Sequence, residues 1–298
     1  MHMTGIKIWI AGARTRTLAA AVIPVAVGAA VAAGQDSEVN AASAWGRVAL
    51  ALLVALALQV GVNFANDYSD GVRGVDDSSR IGPRRLVGSG LVAPNRLKWA
   101  AINVFAVAAA AGAVLAALAG WQLLIVGVLC LLAGWGYTGG PKPYGYLGFG
   151  EVFVFVFFGL VATAGTSYVL LERLDWLAVV CGVPVGLWAV ALLITNNLRD
   201  LQGDAAAGKH TSAVRLGDRR SRLMYLGVLE ASYAVALVAS ISGRAAAAAV
   251  VGAPFAVGAV RRVLQGASGA ELIGVLGATA RAQLVSGLAM AAGIALTA

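Results

Sequence analysis

The chain has 298 residues, 60% of them hydrophobic and only 12% charged, with a mean hydropathy of +0.83. A water-soluble domain is about half apolar and about a quarter charged, so a water-facing globular fold is excluded and a bilayer is the expected solvent. The net charge is +8; the two cysteines, Cys130 and Cys181, lie inside apolar runs as small hydrophobic fillers, and with His2 and His210 alone no Cys or His cluster has metal-ligand spacing.

A hydrocarbon core of about 30 Å takes about 20 residues of apolar helix. Backbone polar groups in lipid must be satisfied within the segment, which continuous apolar runs achieve as helices rather than barrel strands. In chain order the runs predict about nine transmembrane helices, over roughly 18–34, 46–66, 98–119, 122–139, 150–171, 176–197, 223–241, 245–262 and 279–297. The first run lacks a small-residue cleavage site after it, so it reads as a span rather than a cleaved signal. Nothing suggests a second domain, and residues 1–298 are expected to form one all-α membrane unit.

The loops differ in charge. With a cytoplasmic N-terminus, all of the 22 Lys and Arg except Arg47, Arg173 and Arg244 fall on the cytoplasmic side. The positive-inside rule therefore predicts a multi-pass plasma-membrane protein with a cytoplasmic N-terminus and an outside C-terminus. Its basic face suits anionic lipid headgroups and anionic substrates, and no nucleic-acid partner is expected. Trp45, Trp99, Trp121 and Trp176 stand near span ends as interfacial anchors. Gly182 and Gly186 form a small-xxx-small step that serves helix packing or a homo-oligomer contact.

The two long polar connections follow the second and sixth spans, on the same face. The second span ends Asn63-Phe-Ala-Asn66-Asp67-Tyr68-Ser69-Asp70, followed by Gly74 and Asp76. Asn63, Asn66, Asp67 and Asp70 recur at helical spacing, so one helix face carries all four. The sixth span ends Asn196-Asn197-Leu198-Arg199-Asp200, with Asp204 one turn further along the same face. Ionisable residues at membrane depth are costly and normally face a cavity or an ion. Carboxylates stacked on one face repel each other without a cation, and Mg2+ binds through few carboxylates plus phosphate oxygens and waters. Two such faces on one side of the membrane point to a metal–diphosphate group held between them. The basic residues nearby, Arg73, Arg84, Arg85, Lys142, Arg199, Lys209 and Arg215, are candidates for the outer phosphate oxygens.

These stretches resemble the intramembrane aromatic prenyltransferases of the UbiA superfamily, and more closely the branch that prenylates 1,4-dihydroxy-2-naphthoate. Asn66-Asp67-Tyr68-Ser69-Asp70 with Gly74 and Asp76 is similar to that branch's first motif. Arg80-Ile81-Gly82-Pro83-Arg84-Arg85 with Gly88-Ser89-Gly90 resembles the loop after it. Tyr137-Thr138 with Pro143-Tyr144-Gly145-Tyr146-Leu147-Gly148 resembles the loop between the fourth and fifth spans. Asn196 to Asp200, Asp204, Gly208-Lys209, Thr211 and Val214-Arg215-Leu216-Gly217 resemble the second motif.

The resemblance implies a bundle around a cavity open sideways to lipid and capped by the two motif loops. It implies transfer of a polyprenyl chain from polyprenyl diphosphate to 1,4-dihydroxy-2-naphthoate, with loss of CO2 and diphosphate. Asp67, Asp70, Asp76, Asp200 and Asp204 would bind Mg2+, with Asn66 assisting. Asn63, Asn196 and Asn197 would join the substrate site, and Arg73, Arg84, Arg85, Lys142, Arg199 and Lys209 would meet phosphate or acceptor. Tyr144 or Tyr68 would shield an allylic cation with a π face, and Arg14, Arg16 or Arg85 would meet the acceptor carboxylate. Three alternatives stay open: another aromatic acceptor such as 4-hydroxybenzoate, a membrane prenyl diphosphatase, and a transporter or channel.

Overall fold

The computed structural model describes residues 5–33, 35, 39–74 and 85–298, without the side chain of Arg16. Asp76 and Arg84, and with them residues 80–83 of the first motif loop, lie outside the described residues. What is described is helix and connecting turn throughout. Short α1 (Gly5–Ala13) passes through a turn at Arg14 into α2 (Ala19–Ala32). Long α3 (Ala41–Val72) follows, then α4 (Pro94–Ala119) and α5 (Gln122–Gly136). A loop leads to α6 (Gly150–Val154), which runs through a π-helical stretch, Phe155–Val161, into α7 (Ala162–Leu171). The chain continues as α8 (Trp176–Ala206), α9 (Ser212–Ala239), α10 (Ala253–Leu264) and α11 (Glu271–Leu296).

Local chemistry sets the starts and stops. Asn40 caps α3 by accepting from the Ser43 N–H at 3.0 Å, and Asp175 caps α8 through the Ala178 N–H at 3.1 Å. Pro94 begins α4, where a missing N–H costs nothing. Gly217, at φ 77°, kinks α9 at the end of the second motif.

Among the described residues, seven helices are long and apolar enough to cross a membrane: Ala41–Val72, Pro94–Ala119, Gly150–Leu171, Trp176–Ala206, Ser212–Ser242, Ala246–Leu264 and Glu271–Leu296. The shorter apolar helices Ala19–Ala32 and Gln122–Gly136 stand where the first and fourth spans were predicted. The protein is thus an all-α multi-pass membrane protein. Trp45, Trp99, Trp121 and Trp176 are all exposed, as interfacial anchors should be.

Among the described residues the bundle packs around three apolar clusters, one of which joins α2, α3, α4 and α7 through Val25, Ala51, Leu115 and Val169. Buried residues of α8, α9 and α11, with Ile23, Val27 and Val31 of α2, form the largest core. A second cluster around Phe64, Leu86, Leu97 and Phe105 joins α3, α4 and the segment after residue 85. Gly182 and Gly186 meet Gly159 of the π-helical stretch so closely that a Cβ on Gly159 would fall 2.5 Å from Gly186 Cα. The small-residue step is therefore used inside the chain, not for a partner copy.

Arg47, Arg173 and Arg244, at the end of the bundle away from the acidic motifs, all have partners in the chain. Arg47 donates to the carbonyls of Leu118 (2.9 Å) and Val169 (2.7 Å), and pairs with Glu172 at 2.7 Å. Arg244 reaches the carbonyls of Ala33 and Ile294 at 3.3 and 3.4 Å, and Arg173 bonds Gln35. Arg47 and Arg244 thereby satisfy carbonyls at helix C-termini and sit at the negative ends of the helix dipoles.

Candidate active site

The last turns of α3 and α8 carry the two acidic motifs, and the bundle brings them together at one end. Asn66, Asp70, Asn196, Asn197, Asp200 and Asp204 line a single polar pocket of about 530 Å3. Arg14, Arg85, Arg199 and Lys209 line it too, so among the described residues four cations face three carboxylates.

Lys209 joins the motifs directly. Its Nζ donates to Asp70 Oδ1 at 3.0 Å and stands 3.6 Å from Asp204 Oδ1. Arg85 approaches the other Asp70 oxygen at 3.7 Å. Arg199 forms a two-pronged pair with Asp200, at 2.8 and 2.7 Å. The Asp70 carboxylate receives a further bond from the Tyr146 hydroxyl. Burial first, and then the Asp70 charge, push the Tyr146 phenol far above its usual range, so it stays a donor. The Lys209 ammonium lies over the Tyr146 ring, 4.5 Å from its centroid.

Several predicted residues stand elsewhere. Asp67 does not line the polar pocket. An α-helix turns about 100° per residue, which puts Asp67 at the edge of the stripe centred on Asn66 and Asp70. Its carboxylate accepts instead from the backbone N–H of Leu86 (2.9 Å) and Val87 (3.4 Å), pinning the end of the first motif loop. Asn63 faces inward but donates to the Ala13 carbonyl (3.0 Å) and Thr17 Oγ1 (3.3 Å), tying α3 to the Arg14 turn. Arg73 turns away to the carbonyls of Thr138 (3.0 Å) and Gly140 (2.6 Å). Lys142 is exposed and outside the pocket lining, and Tyr68 faces the far side of α3. Arg215 donates to the His210 carbonyl at 3.2 Å.

Tyr144 sits deeper. Its ring stacks on Phe153 (centroids 3.8 Å apart), packs edge-on to Tyr137 (5.6 Å), and its hydroxyl is tied to the Ala133 carbonyl at 2.7 Å. These rings wall a larger cavity of about 1160 Å3 that shares Arg14, Asn66, Tyr137, Leu193 and Asn196 with the polar pocket. That cavity in turn shares Ala55, Leu58, Cys130, Phe157 and Ala162 with an apolar cavity of about 1100 Å3. The last is bordered by the exposed side chains of Leu124 and Val128, hence by lipid. A polar head site thus continues into an apolar channel with a side exit.

Sequence reasoning missed two residues. Tyr146 stands two places after Tyr144 in the same loop, and only the fold brings its hydroxyl to Asp70. Glu151 is buried, and its Oε1 accepts from Asn197 Nδ2 at 2.8 Å and from the Ser212 hydroxyl. It orients a pocket-lining amide from behind. As the sole acid in the apolar run 150–171 it carried a signal.

Among the described residues no three Asp, Glu, His or Cys side chains gather as a preformed ion cage. The oxygens of Asp70, Asp200 and Asp204 around one pocket fit the other mode, in which substrate phosphate and water complete the shell of Mg2+.

The UbiA prenyltransferase family model matches residues 21–273. The chain is 46% identical to the 1,4-dihydroxy-2-naphthoate octaprenyltransferase of Mycobacterium tuberculosis, covering 98% of both chains. It is 35% identical to the enzyme of that name from Escherichia coli, over 76% of this chain and 74% of the relative. Among solved structures, a UbiA homolog from Aeropyrum pernix K1 superposes with a TM-score of 0.66 at 17% identity, over 94% of this chain and 97% of the other. A UbiA homolog from Archaeoglobus fulgidus bound to DMAPP and Mg2+ superposes at 0.60 and 14% identity, over 95% and 99%. These two carry the fold. The family match over most of the length, with a full-length relative at nearly half identity, establishes that the chain belongs to the UbiA prenyltransferase family.

Proposed function

We propose that the protein transfers a polyprenyl chain from polyprenyl diphosphate to 1,4-dihydroxy-2-naphthoate, releasing diphosphate and CO2 and yielding demethylmenaquinol, with Mg2+ as cofactor. The observation that carries this reading is the polar pocket of paired acidic motifs opening into an apolar channel. The naming of the relatives as 1,4-dihydroxy-2-naphthoate octaprenyltransferases supports the acceptor.

Charge arithmetic supports the metal. Among the described residues four cations and three carboxylates line the pocket, and a prenyl diphosphate brings about three further negative charges at neutral pH. A divalent cation offsets that excess of negative charge. Asp70, Asp200 and Asp204 would hold Mg2+, with Asp76 of the motif loop as a further carboxylate; Asn66 and Asn196 would add amide oxygens, and Asp67 fixes the loop through the amides of Leu86 and Val87. When bound, the metal neutralises the diphosphate as a leaving group. Lys209, Arg85 and Arg199 meet phosphate oxygens, and Tyr146 holds Asp70 in place.

Breaking the C1–O bond leaves an allylic cation on the first carbon of the prenyl chain. The rings of Tyr144, Tyr137, Phe153 and Phe157 shield that carbon from water and offer π faces to it. The electron-rich naphthoate ring attacks through the carbon bearing its carboxylate. A C–C bond forms, and CO2 leaves as the electron pair returns to the ring. Arg14 lines both the polar pocket and the adjoining cavity, which suits it to the acceptor carboxylate. The tail runs down the channel toward lipid.

We place the motif face and the N-terminus in the cytoplasm and the C-terminus outside the plasma membrane, and treat residues 1–298 as one domain. The test offers purified protein in lipid nanodiscs Mg2+ and polyprenyl diphosphate, with the naphthoate and 4-hydroxybenzoate in parallel. A prenylated, decarboxylated naphthalene product by mass spectrometry, lost with EDTA and in Asp70→Ala, is expected. Prenylated hydroxybenzoate alone would overturn the acceptor, and free prenyl alcohol with no conjugate would replace transfer by hydrolysis.

A further inference from the structure

A separate cavity of about 620 Å3 lies behind α3, lined by Tyr68, Ser69, Arg73, Lys98, Trp135 and Thr138 among others. At about 100° per residue, Tyr68, Ser69 and Val72 stand on the side of α3 away from Asn66 and Asp70. The helix itself separates this cavity from the polar pocket, and the two share no lining residue.

The cavity is rich in donors and, among the described residues, no Asp or Glu lines it. Two donors are already used: Ser69 Oγ bonds the Thr138 carbonyl at 2.6 Å, and Arg73 holds the carbonyls of Thr138 and Gly140. Three are not. Thr138 is 1% exposed, yet its hydroxyl has no hydrogen-bond partner. The Lys98 ammonium and the Tyr68 hydroxyl, on half-buried side chains, have no protein partner among the described residues either. A buried donor left unpaired costs free energy, and an unpaired ammonium beside it adds an attraction for negative charge. Together these groups form a donor-rich site suited to a multi-acceptor anion.

Its position narrows the source. Lys98 stands near the start of α4 beside Trp99, which is 62% exposed as an interfacial anchor, and Val72 at the cavity edge is 56% exposed. The mouth therefore lies where headgroups meet acyl chains. We propose that this cavity binds a phosphate group, and that its occupant is the headgroup of an anionic phospholipid from the leaflet facing the motif loops. Lys98, Thr138 and Tyr68 take the phosphate oxygens, with Arg73 adding positive charge from the wall.

Acylation of Lys98, read by peptide mass spectrometry, tests this on the unaltered protein. The protein is placed in nanodiscs of phosphatidylcholine or of equimolar phosphatidylcholine and phosphatidylglycerol. Phosphatidylglycerol should slow labelling of Lys98 about tenfold and leave labelling of the exposed Lys142 unchanged. Native mass spectrometry of protein released from the mixed nanodiscs should show one retained phosphatidylglycerol, lost in Lys98→Gln and Thr138→Val and kept in Arg96→Gln. Equal labelling in both lipids, or equal retention by all variants, would overturn the site. If inorganic phosphate in phosphatidylcholine nanodiscs protects Lys98 as well as the lipid does, the lipid headgroup is overturned as occupant.

Discussion

At the residue scale, the pocket works through groups shared between motifs, and Asp70 is the centre of that sharing. It receives Lys209, Arg85 and Tyr146, each from a different segment. Tyr146→Phe removes one donor to a charged group, and kcat/KM should fall about tenfold while the protein stays folded. An unchanged kcat/KM would show that Tyr146 does not act on Asp70. Asp67 poses a sharper choice. If it serves the loop amides of Leu86 and Val87, Asp67→Asn should raise KM more than it lowers kcat, cost roughly 1–2 kcal/mol of stability, and leave the Mg2+ dependence unchanged. A collapse of kcat with a raised Mg2+ requirement would return it to the metal site. The sequence reading put Asp67 and Asp70 on one face, which helical spacing allows. It could not see that Leu86 and Val87 would take one of them.

At the scale of elements, the channel depends on how closely the 150–171 helix lies against α8. That contact is backbone to backbone: a Cβ on Gly159 would fall 2.5 Å from Gly186 Cα and 2.8 Å from the Gly182 carbonyl oxygen. Because backbone cannot rotate away as a side chain can, Gly159→Ala should lower the unfolding temperature in detergent and weaken activity. Gly227, on α9, has open space where a Cβ would go, so Gly227→Ala should be neutral or stabilise by up to about 1 kcal/mol. Equal behaviour of the two variants would refute the packing argument. The Gly182–Gly186 step was legible in the sequence, but its partner was not, because small residues mark a close approach without saying what approaches.

For the whole molecule, orientation in the membrane has a direct test. Cysteines introduced as Ala207→Cys, beside the second motif, and Ser242→Cys, at the opposite end of α9, both lie at exposed positions. In cells carrying the Cys130→Ala, Cys181→Ala background, a membrane-impermeant maleimide should label only Ser242→Cys before lysis. Labelling of Ala207→Cys alone would invert the topology. The sequence by itself determined the bilayer environment, the order of the apolar helices and the two acidic helix ends, because hydrophobic runs and helical spacing are local properties of the chain. The tertiary structure decided which of those acids share a pocket and that Lys209 bridges Asp70 to Asp204. It also turned Arg73 and Tyr68 to the other side of α3. A side chain's partner comes from segments far away in sequence, and the rotation that presents it is set by packing against them.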